Sequence, residues 1–398
     1  MSTFQAVHRT DIRLGEPLPY SVYDKTGTLL LRAGFKINVE RHLEVLIEKG
    51  LYCRADEASA RVSSRIGGSR SPIVASRELE AANEAENTFL TLDMAKLRLQ
   101  RLFEHYRTGR NREDFLSRIE DIALIVQEAC THDTDAALAN LHLDYDNSYA
   151  IVHHMQAAVL CELIGKSTGV REESRLTLIK AALTHDLGLI DIQDMLDRQT
   201  AALTAPQKER INRHPLDSAQ LLAELGVTDP VWLDAVRHHH ERLDGSGYPD
   251  HISDDAIRIP TRILAIADIY SAMVRDRPYR KAMVSKEAMR NLLLEQGNKT
   301  DQRLIQMMIK EIGVFPPGAI VKLVNGEIAV VKLRQENSAF PIVYSFCRQN
   351  GMPMLSPLKR ETIKPEFNVD GIVPFSNYRG SIAVIRNLWL DSKQWRAA

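Results

Sequence analysis

Residues 176–188 read LTLIKAALTHDLG, and in this stretch an apolar helical pattern runs directly into a histidine and an aspartate. Its leucines, isoleucine and alanines recur at steps of three and four, which predicts an α-helix with one apolar face. The same spacing recurs in MAKLRLQRLFEHY at residues 94–106. We therefore expect residues 83–313 to be almost wholly helical, with His185 and Asp186 on an apolar helix.

Strand patterns precede this helical region. Residues 18–34, LPYSVYDKTGTLLLRAG, predict a β-hairpin, and residues 38–50, NVERHLEVLIEKG, predict a helix. Residues 63–82 are rich in serine, arginine and glycine and predict a linker. We therefore interpret residues 1–62 as a small N-terminal β-rich (α+β) module. Its role is left open between regulation, dimerisation and docking of a partner.

Strand patterns also follow the helical region. In AIVKLVNGEIAVVKL, residues 319–333, two β-like runs flank an Asn-Gly pair, which is the strongest short hairpin signal. The predicted fold class is therefore mainly α. A helical segment at residues 83–141 leads into a helical bundle at residues 142–313, and a short β-rich segment follows at residues 314–398.

The overall composition is that of an ordinary globular protein. The 398 residues are 44% hydrophobic and 26% charged, with a formal net charge of −1, which argues against a nucleic-acid polymer as partner. The four cysteines show no C-x-x-C spacing and indicate reduced thiols. No apolar run approaches the ~18 residues of a membrane span. We expect a cytoplasmic protein of two or three domains without a membrane span.

Histidines are concentrated in the predicted bundle, where nine of the 13 lie between residues 142 and 251. Charged groups in apolar helices are costly unless they are paired or bind a cation. Imidazoles with carboxylates suit zinc, manganese or iron(II), and one carboxylate can bridge two ions about 3.5–4 Å apart. We expect a two-metal hydrolase site, with Gly188 ending the helix of the His-Asp pair. The residues expected to converge are His153 or His154, His185, Asp186, His214, His239, His240 and Asp268.

The order of these motifs resembles a known family. A histidine in YAIVHHM is followed by the pair in ALTHDLGLI, by His-Pro, by HHERLDGSGYP at residues 239–249 and by ADIYSAMVRDRPYR at residues 267–280. This order resembles the HD-GYP family, a branch of the HD-domain metal-dependent phosphohydrolases that hydrolyses the bacterial second messenger cyclic di-GMP. The resemblance extends from about Tyr149 to about residue 331, nearly half of the chain. It implies an HD-type helical bundle with the catalytic domain at residues 142–313.

The resemblance also implies a set of metal ligands. His153, His185, Asp186 and Asp268 would hold the first ion. Asp186 would bridge to the second ion, which His214, His239 and His240 would complete. The pair His185–Asp186 would be catalytic. His238 would be a packing or surface residue outside the metal site, and His154 would sit beside it.

A further set of residues is implied to bind the substrate. The glycines of the loop would let its backbone approach the nucleotide, and the tyrosine would offer a ring and a hydroxyl. Two arginines of RPYR would grip phosphate oxygens. For Gly247 and Pro249 alone we favour a structural turn. The substrate-binding residues implied are Asp244, Gly245, Gly247, Tyr248, Pro249, Arg277 and Arg280.

The resemblance implies hydrolysis of cyclic di-GMP to pGpG and/or GMP by a hydroxide that bridges two divalent ions, Fe(II) or Mn(II). Two departures weigh on this expectation. Leu189 replaces a lysine that many members carry near a substrate phosphate, and Tyr149 replaces a glutamate found in members with a third ion. An alternative is therefore a catalytically weak or inactive cyclic di-GMP receptor acting through protein partners. A hydrolase of another nucleotide, a homodimer and signalling protein partners are also left open.

Overall fold

The computed structural model describes most of the chain beyond residue 86. The described ranges are 87–109, 112–145, 147–276, 281–294 and 297–390, with 4–7, 12, 18, 20–23, 29–31 and 52–54 nearer the N-terminus. Contacts divide the chain into two units, residues 1–87 and residues 88–398. No helix in the described ranges is long and apolar enough to cross a membrane.

The first unit contains an antiparallel sheet with the strand order β1-β4-β2-β3. The predicted hairpin is present, since Val22 pairs with Leu31 and Tyr23 with Leu29. The predicted helix at residues 38–50 and the predicted linker at residues 63–82 lie outside the described residues. The strands are β1 (Phe4–Ala6), β2 (Val22–Tyr23), β3 (Leu29–Leu31) and β4 (Tyr52–Arg54).

The second unit begins with a helical region, which confirms the mainly α fold class. Its helices are α1 (Thr88–Arg107), α2 (Phe115–His132), α3 (Thr134–His142), α4 (Tyr149–Ser167), α5 (Glu172–Thr184), α6 (Gln193–Leu196), α7 (Ala205–Glu224), α8 (Pro230–His238), α9 (Ile259–Met273), α10 (Ser285–Leu294) and α11 (Gln302–Ile312).

Helix α4 runs through the centre of the bundle. It is buried from Ile151 through Gly165, because helices α1, α2, α5, α9 and α11 surround it. A helix that is apolar on every side can satisfy its surface only inside a protein. His153, in the second turn of α4, is thereby carried into the interior.

Side-chain caps fix where two of the helices that lead to the site begin. Thr204 and Gln207 form a reciprocal capping box at the start of α7, as the Thr-x-x-Gln spacing suggests. The carboxylate of Asp229 accepts hydrogen bonds from the backbone N–H groups of Val231 and Trp232 at the start of α8. These caps satisfy donors that a helix start otherwise leaves unpaired.

A second antiparallel sheet follows the bundle in the order β8-β7-β6-β5-β9, and helix α12 (Ile382–Leu390) covers part of it. The predicted Asn-Gly hairpin is present, with Ile320 opposite Val330 and Gly326 at φ +84°. The sheet shares a core with α1 and α3, so the boundary predicted at residue 313 falls inside one compact unit. Its strands are β5 (Ile320–Leu323), β6 (Ile328–Leu333), β7 (Ile342–Cys347), β8 (Pro353–Glu361) and β9 (Val369–Ile372).

Candidate metal centre

The ends of α5 and α8 point into the bundle and carry histidines. Helix α5 ends at Thr184, with His185 as its C-cap and Asp186 one residue further on. Helix α8 ends at His238, and His239 and His240 follow it directly. The expectation that the His-Asp pair lies within a helix ended by Gly188 was therefore wrong, since the helix stops before the pair.

Packing against α7 explains the earlier stop. The backbone N–H of Leu189 donates to the carbonyl oxygen of Asp186 at 2.8 Å, which begins a 3₁₀ turn. Gly188 in this turn lies so close to α7 that a Cβ atom there would be 2.9 Å from the carbonyl oxygen of His214. The turn thus brings α7 and its histidine beside Asp186.

Six of the seven predicted ligand residues form two clusters in the interior, with potential ligand atoms within 4.8 Å of one another in each. The first joins His153, His185 and Asp268, and the second joins His214, His239 and His240. In the first cluster, His153 Nε2 lies 3.1 Å from Asp268 Oδ1.

Asp186 lies between the two clusters. Its Oδ2 atom is 3.7 Å from the Nε2 atoms of His153 and His185. Its Oδ1 atom is 2.9 Å from His214 Nε2 and 3.8 Å from His239 Nε2. One carboxylate therefore presents one oxygen to each cluster, which is the arrangement that a bridging ligand requires.

Backbone carbonyls orient three of the rings. The Nδ1 atoms of His185, His214 and His239 each lie within hydrogen-bond distance of the carbonyl oxygen three residues earlier. Because a carbonyl oxygen can only accept, each Nδ1 carries a proton, and in the neutral ring each Nε2 offers a lone pair to the centre. The backbone just before each ring thus sets both its direction and its tautomer.

Ser271 orients the fourth ring and was not anticipated from the sequence. Its hydroxyl donates to the carbonyl oxygen of Ala267 at 2.7 Å, and its oxygen lies 3.1 Å from His153 Nδ1. The oxygen can thus accept the Nδ1 proton, which leaves His153 Nε2 free to coordinate. The signal in the sequence was its place one helical turn after Asp268, on the same face of α9.

The protonation states suit a cation. Burial lowers the pKa of His185, His239 and His240, the last to about 3. Burial alone would raise the pKa of Asp186 and Asp268, but the neighbouring histidines outweigh it and hold both below the ordinary carboxyl value. These three imidazoles are therefore neutral beside ionised carboxylates, which are the forms that bind metal.

The distances between nitrogens provide a test of whether these residues fit a metal. The Nε2 atoms of His153 and His185 are 3.3 Å apart, and those of His214 and His239 are 3.2 Å apart. Two lone pairs facing each other at this distance repel unless they share a positive charge. His214 differs from the neutral rings, since Asp186 outweighs burial and raises its pKa. A positive charge is thus favoured beside Asp186. The residues fit divalent ions, one beside each cluster.

Two further histidines lie near the site but outside these clusters. His154 is buried and packs against the rings of Phe103 and His185, beside the site as expected. His238 does not sit alone at the surface. Its Nδ1 lies 3.1 Å from Asp234 Oδ1, and its Nε2 lies 2.8 Å from Asp250 Oδ2.

The loop at residues 244–249 brings one predicted substrate residue to the cluster. The Tyr248 ring lies 4.9 Å from the His240 ring, centroid to centroid, and the Tyr248–Pro249 peptide bond is cis. Burial, and after it Asp268 and Asp186, raise the pKa of Tyr248. Asp244 is exposed and accepts hydrogen bonds from Ser246 within the turn.

Of the other predicted substrate residues, three lie in this loop and two lie outside the residues that the structure describes. Gly245 adopts φ +73° in the turn, and Gly247 is buried. Pro249 follows Tyr248 at the end of the loop. Arg277 and Arg280 lie outside the described residues, so their part in phosphate binding stays a prediction. Leu189 is only 6% exposed.

The chain is similar in sequence to known proteins. Residues 97–304 match the family model of the HD domain. The chain is 26% identical over 248 residues to a cyclic di-GMP phosphodiesterase of Pseudomonas aeruginosa, which covers 62% of this chain and 59% of the relative. It is 28% identical to a cyclic di-GMP phosphodiesterase of Borreliella burgdorferi over 205 residues, 51% of this chain and 54% of the relative.

A third relative has a different substrate in its name. The chain is 30% identical over 174 residues to a 3'3'-cGAMP-specific phosphodiesterase of Vibrio cholerae, which covers 44% of this chain and 40% of the relative. The chain thus spans about half the length of the curated relatives it matches. Since the family match covers more than half of its 398 residues, the chain belongs to the metal-dependent HD-domain family, and its motifs are those of the HD-GYP branch.

Proposed function

We propose that this chain is a metal-dependent phosphodiesterase that hydrolyses cyclic di-GMP to pGpG and/or GMP. The observation that carries the proposal is the position of Asp186, with one oxygen toward each of two histidine clusters. The names of two relatives, both cyclic di-GMP phosphodiesterases, support the same substrate. Homodimerisation, protein partners and a cytoplasmic location stay predictions from the sequence.

The proposed ligands follow the clusters. His153, His185 and Asp268 would hold one ion, and His214, His239 and His240 would hold the other, with Asp186 between them. Imidazole with carboxylate favours Fe(II) or Mn(II) over calcium or magnesium. When bound, the two ions would lower the pKa of water and offset charge on the phosphate.

The chain itself contributes orientation and charge. The carbonyl acceptors behind three histidines hold the Nε2 atoms in place before the substrate arrives, which removes reorganisation from the reaction. Tyr248 would contact a nucleotide base or sugar at the edge of the cluster. Arg277 and Arg280 are proposed to bind phosphate oxygens.

Leu189 supports a second candidate function. A buried leucine in place of a lysine supplies no cation for a phosphate, and one charge-assisted hydrogen bond contributes about 1.5–3 kcal/mol. A chain that keeps the metal ligands but lacks this contact could serve as a cyclic di-GMP receptor. Binding is common to both functions, so turnover distinguishes them.

The test is hydrolysis by the full chain loaded anaerobically with Fe(II) or with Mn(II). Cyclic di-GMP, 3'3'-cGAMP and a linear dinucleotide are followed by chromatography. The Asp186→Ala variant tests the bridging carboxylate, and Asp255→Ala, whose side chain is fully exposed, is the matched control. We expect metal-dependent loss of cyclic di-GMP that only Asp186→Ala abolishes. Tight binding without turnover under both metals would reject the enzyme and favour the receptor.

A further inference from the structure

The loop that carries Tyr248 folds back onto the end of α8. The backbone N–H of Tyr248 donates to the carbonyl oxygen of His240 at 3.3 Å. A Cβ atom at Gly247 would overlap the backbone of Glu241 and Arg242. The position of the Tyr248 ring over His240 is therefore set by how firmly this loop is held to the helix end.

Asp250 fastens the far end of the loop to the same helix. Its carboxylate accepts two hydrogen bonds from Arg237, from Nε at 2.6 Å and from Nη2 at 2.9 Å. It also lies 2.8 Å from His238 Nε2. Its backbone N–H donates to Glu241 Oε1 at 2.7 Å. Four contacts from the last turn of α8 and the residue beyond His240 thus meet at one residue.

The charges make this a network and not a single surface pair. Exposed ion pairs contribute little alone, but a bidentate arginine with a second donor to the same carboxylate is the exception. The hydrogen bonds from Arg237 are the largest cause that lowers the pKa of Asp250 to about 2. The hydrogen bond from His238 also lowers this pKa, whereas burial opposes both. The carboxylate therefore stays ionised at neutral pH. The other nitrogen of His238 is held by Asp234, so the histidine links the loop to the body of the helix.

The geometry points to Asp250 as a positioning residue that holds Tyr248 against His240 and so sets the affinity for the cyclic dinucleotide. Pro249, with its fixed φ, lies between the two residues, so a displacement of Asp250 is passed on to Tyr248. The three histidines at residues 238–240 then divide two tasks. His239 and His240 form the second cluster with His214, whereas His238 helps Asp250 to hold the loop. This inference rests on the proposed function.

The test uses the metal-loaded full chain and the isosteric variant Asp250→Asn, with Arg237→Gln as a second variant. We expect each to raise the Kd for cyclic di-GMP, measured by calorimetry, and KM by about tenfold. The metal content should not change, and kcat should change less than KM. Asp255→Asn, five residues further along and fully exposed, is the matched control and should leave all four quantities unchanged.

A double-mutant cycle decides whether Asp250 acts through Tyr248. In a Tyr248→Ala background, Asp250→Asn should cause no further rise in Kd. An equal rise in both backgrounds would overturn the inference, and so would loss of metal in Asp250→Asn.

Amide hydrogen exchange of residues 244–251 without nucleotide separates this inference from the proposed function. We expect faster exchange in Asp250→Asn than in the wild type or Asp255→Asn. If the wild type binds no cyclic di-GMP, the proposed function fails, and exchange alone decides whether Asp250 holds the loop. Unchanged exchange overturns the anchor whatever the chain binds.

Discussion

His153 reaches the first histidine cluster from within a helix, whereas His185, His239 and His240 reach the two clusters from helix ends. His214 also lies within a helix, and its Nδ1 bonds the carbonyl oxygen of Ile211. The Nδ1 of His153 instead faces a side chain of another helix, the Ser271 hydroxyl of α9. The orientation of this ligand therefore depends on a second helix.

Removing the Ser271 hydroxyl should weaken metal binding. In Ser271→Ala the Nδ1–H of His153 loses its acceptor, and the loss of such an outer contact typically costs 10–100-fold in metal affinity. We expect a fall of about tenfold, measured by competition with a chelator. Ser117→Ala removes an exposed hydroxyl that bonds only its own helix turn and is the control. Equal metal affinity in the two variants would show that Ser271 does not hold the ring.

The sequence predicts the residues of the two clusters better than the residues that orient them. Histidines and aspartates in apolar stretches stand out because such residues are costly to bury without a cation. Ser271 and Asp250 carry no such signal, since serine in a helix and an aspartate after a proline are ordinary. Their roles arise only when α9 meets α4, and when the loop folds back onto α8.

The short turn after α5 illustrates how one element positions another. The backbone N–H of Gly188 donates to Ser218 Oγ at 2.8 Å, and Arg210 Nη2 donates to the carbonyl oxygen of Gly188 at 3.0 Å. Both partners belong to α7, so this helix replaces the hydrogen bonds that a longer α5 would make internally. The local sequence favours a helix through Asp186, and the packing of α7 outweighs that preference.

A methyl group at Gly188 should push α7 away from the turn. The added Cβ would lie 2.9 Å from the His214 carbonyl oxygen and 3.1 Å from Ser218 N, so the helix must shift. Overpacking of this kind costs about 1–3 kcal/mol. We expect Gly188→Ala to lower the Tm and to lose metal from the cluster of His214. Gly380→Ala, with no neighbour within 4 Å of the new Cβ, should do neither. A variant with full metal content would contradict the close packing.

The loop after α8 must fit over the end of this helix without displacing His239 and His240, which follow the helix directly. At Gly247 a methyl group would overlap backbone atoms, which cannot rotate away. We expect Gly247→Ala to displace Tyr248 and to raise the Kd for cyclic di-GMP at least tenfold, a loss of about 1.4 kcal/mol or more, with metal content unchanged. Gly371→Ala, where the new Cβ meets nothing within 4 Å, is the control. Retained affinity in Gly247→Ala would show that the loop tolerates the shift.

On the scale of the whole molecule, the 3₁₀ segment Phe375–Ser381, which follows the C-terminal sheet, packs on the loop that enters α4 and on the end of α9. Tyr145 stacks on Phe375 with ring centroids 4.1 Å apart, and the guanidinium groups of Arg275 and Arg379 lie 5.4 and 5.5 Å from the Tyr145 ring. Arg379 also pairs with Asp276 at 3.3 Å. Residues after 313, which were predicted to form a separate segment, thus support the two helices that carry His153 and Asp268.

This arrangement marks the limit of prediction from the sequence. Periodicity predicts the helical bundle and both hairpins, because those patterns are local. It does not indicate that Phe89 of α1 and Trp389 of α12, 300 residues apart, stack at 5.8 Å. Contacts at such separation depend on the whole fold, and apolar residues at the two positions would suit many other partners equally well.

A buried ion pair joins α1 to the loop before α4. It leads to a prediction for the stability of the second unit. Lys96 of α1 donates to the carboxylate of Asp144, and both side chains are almost fully buried. Burial would raise the pKa of Asp144, but Lys96 and Asn147 outweigh it and lower the pKa. A carboxyl whose pKa is lowered by folding stabilises the protein above its ordinary pKa. That contribution is lost as the pH falls through the pKa of the folded state.

Replacing Lys96 with methionine should destabilise the second unit by about 3–5 kcal/mol at neutral pH, because it leaves the Asp144 charge buried without the lysine. Burial would then dominate and raise the pKa of Asp144 above its ordinary value. Protonation of Asp144 on acidification should therefore recover part of the lost stability, and the difference from the wild type should shrink as the pH falls. Urea unfolding between pH 7 and pH 4, followed by far-UV circular dichroism, measures both effects. Combining Lys96→Met with Asp144→Leu should recover much of the loss, since an apolar pair can replace a buried ion pair. If the single variant were as stable as the wild type at every pH, the pair would not be what holds α1 to the loop before α4.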